Sequence, residues 1–281
     1  MIAVLEPPAT APAKPPAKDR IAELQETVSA SRLGLFHSCR LKFFFRYVMK
    51  IKKAPTPAMH AGSSVHAVLQ AWNMSRWRKE MFATERFKSL FSVRWLALQA
   101  ESKIDWSGEE ADERSSSWRA LENYFIETPI KSDEKPEAVE VSASADLSAH
   151  GLPTLIGIID LVRAGGRIVD FKLVGKTPDV EMVVHTHGTQ LTAYSVLYRD
   201  ATGQREGGLE LHHLVRTKKP KLIVTTLPPA TDQQQTKLFR SMESYQEGVA
   251  RQDFVPSPGF ACMGCEYFNE CRRWNGKASH A

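Results

Sequence analysis

Two apolar, β-branched runs, LPTLIGIIDLVR (residues 152–163) and GRIVDFKLV (residues 166–174), stand on either side of the turn signal AGG, residues 164–166. Runs of this length, punctuated by glycine, read as a β-hairpin with buried strands. The hairpin constrains the chain more than any other segment because each run carries an acid inside it. Asp160 sits in GIIDLV, and Asp170 and Lys172 sit one residue apart in VDFKLV. Side chains along a strand alternate, so Asp170 and Lys172 project from one face and Phe171 from the other. Burying a lone charge is expensive, so each needs a partner, a metal or a chemical role. A short hairpin brings Asp160 and Asp170 within reach of one cation.

Two carboxylates helped by the Phe171 backbone carbonyl form a hard oxygen site of the kind that holds Mg²⁺ or Mn²⁺. Such an ion lowers the pKa of water and neutralises charge on a phosphoryl oxygen. Lys172 can then orient or deprotonate the attacking water, or bind the developing oxyanion. The competing reading is a plain Asp–Lys ion pair at a strand end. His66, in GSSVHAVL at a helix start, is a further metal-ligand candidate. Gln190 and Tyr194, four apart in QLTAYSVLY, share a helical face from which they can position a phosphate or the lysine. Glu140, in EAVEVSA, is expected to be solvent exposed. His185 and His187, and the pair His212 and His213, read as surface or packing histidines, with no third ligand evident nearby.

The chain has 281 residues, 42% of them hydrophobic, enough for one core with a helical annex. Residues 1–28, rich in Pro, Ala and Lys, read as a flexible leader, which leaves 29–281 as a single domain. SASRLGLFHSCRLKFFFRYVMK (residues 29–50) reads as a helix capped by Ser29 or Ser31. A second helix opens at GSS and carries His66 in its first turns, and a helical insertion follows over about residues 75–130. Strands at EAVEVSASADLS and in the hairpin are followed by a helix around Thr189 to Arg199. Strands LELHHLVRT and PKLIVTTLP, a helix over residues 232–251 and a cysteine-bearing tail complete the chain. Strands flanked by helices on both sides imply a mixed α/β sandwich. No apolar run approaches the ~20 residues needed to cross a bilayer, and the start lacks a secretory signal. A cytoplasmic protein without membrane partners is expected. There, four cysteines point to a metal site or free thiols before disulfides.

The order GxxxH (residues 62–66), GxxD (157–160), DxK (170–172) and QxxxY (190–194) resembles the PD-(D/E)xK nuclease superfamily, and within it the RecB-like branch, over residues 29–274. The resemblance implies a restriction-endonuclease-like mixed β-sheet core flanked by helices. It implies a divalent metal on His66, Asp160 and Asp170, a water served by Lys172, and support from Gln190 and Tyr194. The implied activity is metal-dependent DNA exonuclease chemistry, on single strands or strand ends.

Cys262, Cys265 and Cys271 form a C-x2-C-x5-C cluster, and Cys39 stands far away in LFHSCRLKFFF. Four thiolates suit Zn²⁺ or a four-iron cluster. The one-plus-three layout is similar to that of RecB-like nucleases with an iron–sulfur cluster, including the AddB helicase–nuclease subunit and the CRISPR-associated Cas-four branch. That likeness implies a [4Fe–4S] cluster on Cys39, Cys262, Cys265 and Cys271, stapling the first helix to residues 260–275, with zinc as the alternative. It also implies DNA as partner, with a helicase or a CRISPR integrase beside it, the latter in prespacer trimming. Two readings of another class are a nuclease-dead DNA-binding module and a zinc-stapled structural protein. Lys42, Arg46 and Lys50 recur every four residues, where like charges repel unless a phosphate backbone meets them. The neighbouring Phe44, Phe45 and Tyr47 read as core before base-stacking platforms. A second basic run, RTKKPK (residues 216–221), reads as a hairpin turn. The net charge of +5 adds only a mild lean towards polyanions.

Overall fold

The computed structural model describes residues 17–80, 82–101 and 103–276. Residues 1–16 of the expected leader lie outside the described residues. Helix α1 (Ala17–Glu26) runs directly into a short strand, β1 (Thr27–Ser29). Leu24 and Val28, four apart, are fully buried, so the fold begins before the boundary expected at residue 29.

Ser29 caps α2 (Ala30–Ser38), its Oγ accepting the Arg32 N–H. The single helix expected to residue 50 is broken at Cys39, whose backbone is extended (φ −160°, ψ 108°). After α3 (Arg40–Phe43), residues Phe44–Val48 wind as a π-helical turn. This wider turn sets both Phe44 and Phe45 into the core and abolishes the four-residue register that would align Lys42, Arg46 and Lys50. Lys42 pairs with Glu266 at 2.8 Å, and Lys50 lies past the helical turn with φ 53°. The expected basic stripe is therefore not one helical face.

Helix α4 (Pro57–Arg78) starts earlier than expected because Thr56 caps it and Pro57 fits its first turn. His66 thus sits well inside the helix. Helices α5 (Thr84–Glu101) and α6 (Glu110–Glu127) pack on α4 around Phe91, Trp95, Trp118 and Leu121. Strands β2 (Ala138–Ala145), β3 (Thr154–Arg163) and β4 (Arg167–Val174) follow. The β3–β4 turn uses left-handed backbone at Gly165 and Gly166 (φ 78° and 68°). Helix α7 (Val180–Thr202) is longer than expected, because Asp179 caps it through the Met182 N–H. Strands β5 (Gly208–Val215) and β6 (Lys221–Leu227), helix α8 (Asp232–Ala250) and the short tail helix α9 (Phe268–Arg273) complete the domain.

The sheet is mixed, with order β1-β3-β4-β5-β6 and β2 paired to β3. The β1–β3 and β4–β5 pairs are parallel and the others antiparallel. One core, around Phe36, Phe43, Leu197 and Tyr245, joins the sheet to α1, α2, α7 and α8; a second joins the other face to α4, α5 and α6. A six-stranded mixed sheet between two helical layers is the restriction-endonuclease-like arrangement.

One departure from regular pairing positions everything that follows. Strands β3 and β4 are ten and eight residues long yet pair at only three positions, from Leu161–Val169 to Arg163–Arg167. Beyond them β1 takes the same edge of β3, at Thr154 to Ile156. Among the described residues, 157–160 of β3 have no strand partner on that edge, so the sheet forks between β1 and β4. The other edge is paired to β2 from Leu155 to Val162, with the register skipping Asp160 and Glu140. Opposite Asp160, Glu140 of β2 has left-handed backbone (φ 49°). The inside–outside alternation of β3 also slips there: Ile159 packs into the α7-side core and Leu161 into the α4-side core.

Gly157 lets α7 lie against β3 at the fork, since a Cβ there would come within 2.7 Å of Leu197 Cδ1. Gly157→Val is expected to lower stability by about 2 kcal/mol, read as a fall in the urea unfolding midpoint.

Candidate active site

The fork gathers side chains from both helical layers. Asp160 lies one step beyond the last β3–β4 pair, and its Oδ2 accepts the Phe171 N–H at 3.0 Å, in place of a main-chain carbonyl. Asp170, 1% exposed, accepts at Oδ1 from Lys172 Nζ (3.0 Å) and from Gln190 Nε2 (3.1 Å). Its Oδ2 lies 2.8 Å from the same ammonium but receives no well-directed hydrogen bond. Lys172 Nζ also donates to Gln190 Oε1 at 3.2 Å, and Gln190 Nε2 donates to the Tyr194 hydroxyl at 2.7 Å. The helical spacing of Gln190 and Tyr194 thus forms a brace from α7 onto β4.

From the other layer, His66 Nε2 donates to the Phe171 carbonyl at 3.0 Å, while Nδ1 stands 3.6 Å from Asp160 Oδ2. In the tautomer with a single N–H, that donation leaves Nδ1 as the lone-pair nitrogen. A lone pair facing a carboxylate oxygen needs a proton or a cation between them. A histidine whose second nitrogen donates to a carbonyl is also the usual arrangement of a metal-ligating imidazole. The Phe171 carbonyl, expected as a ligand, is engaged by His66, though an oxygen with two lone pairs can serve both. The donor set, hard oxygens with one imidazole, fits Mg²⁺ or Mn²⁺. Among the described residues, no group of three or more His, Cys, Asp or Glu side chains stands close enough to hold a metal ion, the four cysteines included.

The electrostatics separate Asp160 and Glu140 from the buried acids of the scaffold. Burial pushes the Asp160 carboxyl above the ordinary range against the pull of His66, and Asp170 pushes it further. Burial and Asp160 likewise raise Glu140, which is half-buried at the fork rather than solvent exposed as expected. At Glu210 of β5, burial is instead outweighed by His212 and Arg163, and the carboxyl is held low. Arg163 reaches Glu210 and Glu134 at 3.1 and 2.7 Å. That acid is neutralised in place, and Asp160 and Glu140 are not.

Of the histidines read as surface or packing, His185 is exposed and His212 is fully buried between Glu210 and Tyr124. His213 pairs in register with Lys172, and its ring lies 6.2 Å from that of His187. Burial lowers the His187 imidazole, Lys172 lowers it further and Asp170 and Gln190 oppose them, so it borders the site after all. Its signal in the sequence was the spacing from Gln190, three residues along one helical face. Burial, helped by His187 and Lys172 and opposed by Asp170, lowers the His213 imidazole to about 4. An unfolded histidine takes up its proton near 6.5, so between there and about 4 the unfolded chain holds more protons and this group costs stability as pH falls. Asp160 and Glu140 act in the opposite sense. The urea midpoint of His213→Gln should therefore fall less between pH 7 and 5 than that of the wild type.

The four cysteines are free and half-buried, and together they line a cavity of about 330 Å³ with Phe45 and Tyr267. Burial raises the Cys271 thiol, and the sulfurs of Cys39, Cys265 and Cys262 raise it further. The tail is also tied to the N-terminal segment by Lys53–Glu270 at 2.6 Å and by the Tyr267 hydroxyl on the Ile51 carbonyl at 2.9 Å.

A forked mixed sheet carrying acid, acid and lysine, overlaid by an imidazole helix and a Gln–Tyr helix, defines a class that the sequence then names. The chain belongs to the PD-(D/E)XK nuclease superfamily, whose sequence model matches residues 27–272. Among solved structures, it is similar to a protein of Eubacterium rectale described as a "Putative exonuclease", with 14% identity, 92% of each chain covered and a TM-score of 0.60. That likeness is one of fold. A protein designated SSO0001 aligns over 91% of this chain and 93% of its own, at 12% identity and a TM-score of 0.44. No curated protein matches the chain. Among the described residues, no helix is long and apolar enough to cross a membrane.

Proposed function

We propose that the protein is a divalent-metal-dependent DNA exonuclease acting on single strands or strand ends. The observation that carries this reading is the meeting, at one fork in the sheet, of side chains from four elements: His66 of α4, Asp160 of β3, Asp170 and Lys172 of β4, and Gln190 of α7. His66 Nδ1, Asp160, Asp170 and the Phe171 carbonyl would hold Mg²⁺ or Mn²⁺. When bound, the ion supplies positive charge against the phosphodiester and lowers the pKa of water. Asp170 and Gln190 fix the Lys172 ammonium from two sides, and Tyr194 fixes Gln190. An ammonium held in this way can orient the attacking water and meet charge developing on a phosphate oxygen without reorganising.

End-labelled single strands should shorten from a terminus with Mn²⁺ or Mg²⁺ and stay intact in chelator. Internal fragments appearing first would replace the exonuclease assignment with an endonuclease one.

The four thiols fit a sulfur-ligated group, and we propose a [4Fe–4S] cluster there, stapling the Cys39 break to the tail. Anaerobically purified protein is expected to contain about four iron and four acid-labile sulfide per chain. Cys265→Ser should lose them together with several degrees of Tm. Zinc without sulfide would assign the site to a structural zinc instead.

A further inference from the structure

Beyond Gln190 and Tyr194 the fork opens into a groove of about 650 Å³. Its walls come from the end of β1 and start of α2, the exposed faces of β2 and β3, and the face of α7. Ser29, Ser142, Ser144 and Ile158 contribute alongside Gln190 and Tyr194, and no Lys, Arg, Asp or Glu lines it. From this we infer that the groove is a subsite for one unpaired nucleotide, the neighbour of the phosphodiester being cut. The inference rests on the nuclease reading above.

Three observations bear on the occupant. The first is continuity: Gln190 is at once a wall of the groove and a hydrogen-bond partner of Asp170 and Lys172. A chain whose phosphate lies at Lys172 therefore has its next residue at the groove mouth. The second is the chemistry of the lining. A groove of hydroxyls, small side chains and apolar surface suits a base and sugar, which are uncharged with polar edges, whereas a run of backbone phosphates would call for cations. Ile158 is 50% exposed on this face, apolar surface against which a base ring can lie. The third is width. The groove exists because β1 and β4 separate over residues 157–160 of β3, a gap of a few residues along one strand. Its volume falls in the range of pockets that enclose one small molecule. A base still paired to a complementary strand would have to be unstacked and unpaired to enter. The groove thus selects single strands or frayed ends.

The experiment measures cleavage of end-labelled oligonucleotides with Mn²⁺ by wild type, Ser144→Trp and Ile158→Ala. A duplicate substrate series lacks the base beside the first scissile phosphodiester. Ser144 and Ile158 are exposed strand positions, and Tm measurements show which variants remain folded. Ser144→Trp, which fills the groove, is expected to raise KM tenfold or more, and Ile158→Ala to raise it about fivefold, with the loss falling on KM rather than kcat. The abasic substrate should itself show a raised KM with wild type, and Ile158→Ala should not raise the KM for that substrate further. Equal KM values for folded variants and wild type, or a base deletion that adds its full effect on top of that of Ile158→Ala, would overturn the groove assignment and leave the nuclease reading standing. Should the wild type cut nothing that Asp170→Ala spares, the nuclease reading fails and takes the subsite with it.

Discussion

Asp170→Asn is expected to cut strand cleavage by roughly a thousandfold while the protein stays folded. The side chain is 1% exposed and nearly isosteric with asparagine, so the cavity it fills survives the change. Its charge does not. Asp170 is the anion that holds the Lys172 ammonium, at 2.8 Å, and asparagine offers only one acceptor where the carboxylate offered two. With its oxygen at the Oδ1 position asparagine still accepts from Lys172 and Gln190, but its NH2 then stands where Oδ2 lay, 2.8 Å from the Lys172 ammonium, donor against donor. Lys172→Ala should lose a similar factor. If the two act as a unit, the double variant will fall no more than about threefold below the worse single one. Single-turnover cleavage of an end-labelled strand reads all four proteins. Equal rates would assign the activity to a contaminant or to another site.

Asp160→Asn is the second large effect, and its sign differs between activity and stability. Cleavage should fall at least a hundredfold, as for loss of a charged metal ligand. Without added metal the variant should be as stable as wild type or more stable at pH 7. The fork holds the Asp160 carboxyl above its unfolded value, so the folded state binds the proton more tightly and stability is lost as pH rises through the folded pKa. Asparagine removes that cost and keeps the acceptor for the Phe171 N–H. Mn²⁺ should then raise the Tm of the wild type, by mass action on the folded state, and leave that of Asp160→Asn unmoved. A destabilised variant that still responds to Mn²⁺ would show Asp160 to be a strut for β4 rather than a ligand.

Much of the architecture is written in local patterns. The hairpin at residues 164–166 follows from two β-branched runs around glycines. The start of α8 follows from Thr231 and Gln234, which form a capping box. The Gln190–Tyr194 brace follows from helical spacing. Other features escaped because they depend on partners distant in the chain. The break at Cys39 has no breaker residue in its sequence, and its extended backbone sets that thiol beside residues more than two hundred positions later. Strand β1 is three residues long and gains its ladder only from β3. Glu140 reads as an exposed strand residue until the slip at Asp160 turns the fork towards it.

By itself the sequence determined which chemical groups the protein has to work with and which strand or helix carries each, since periodicity and capping act over a few neighbouring residues. Only the tertiary structure decided that β3 and β4 part after three rungs, because strand pairing is a competition among distant edges, here won at one end by β1 and at the other by β4. That parting leaves Asp160 without a cation of its own, opens the groove beside it and lets an imidazole from the opposite helical layer reach the Phe171 carbonyl.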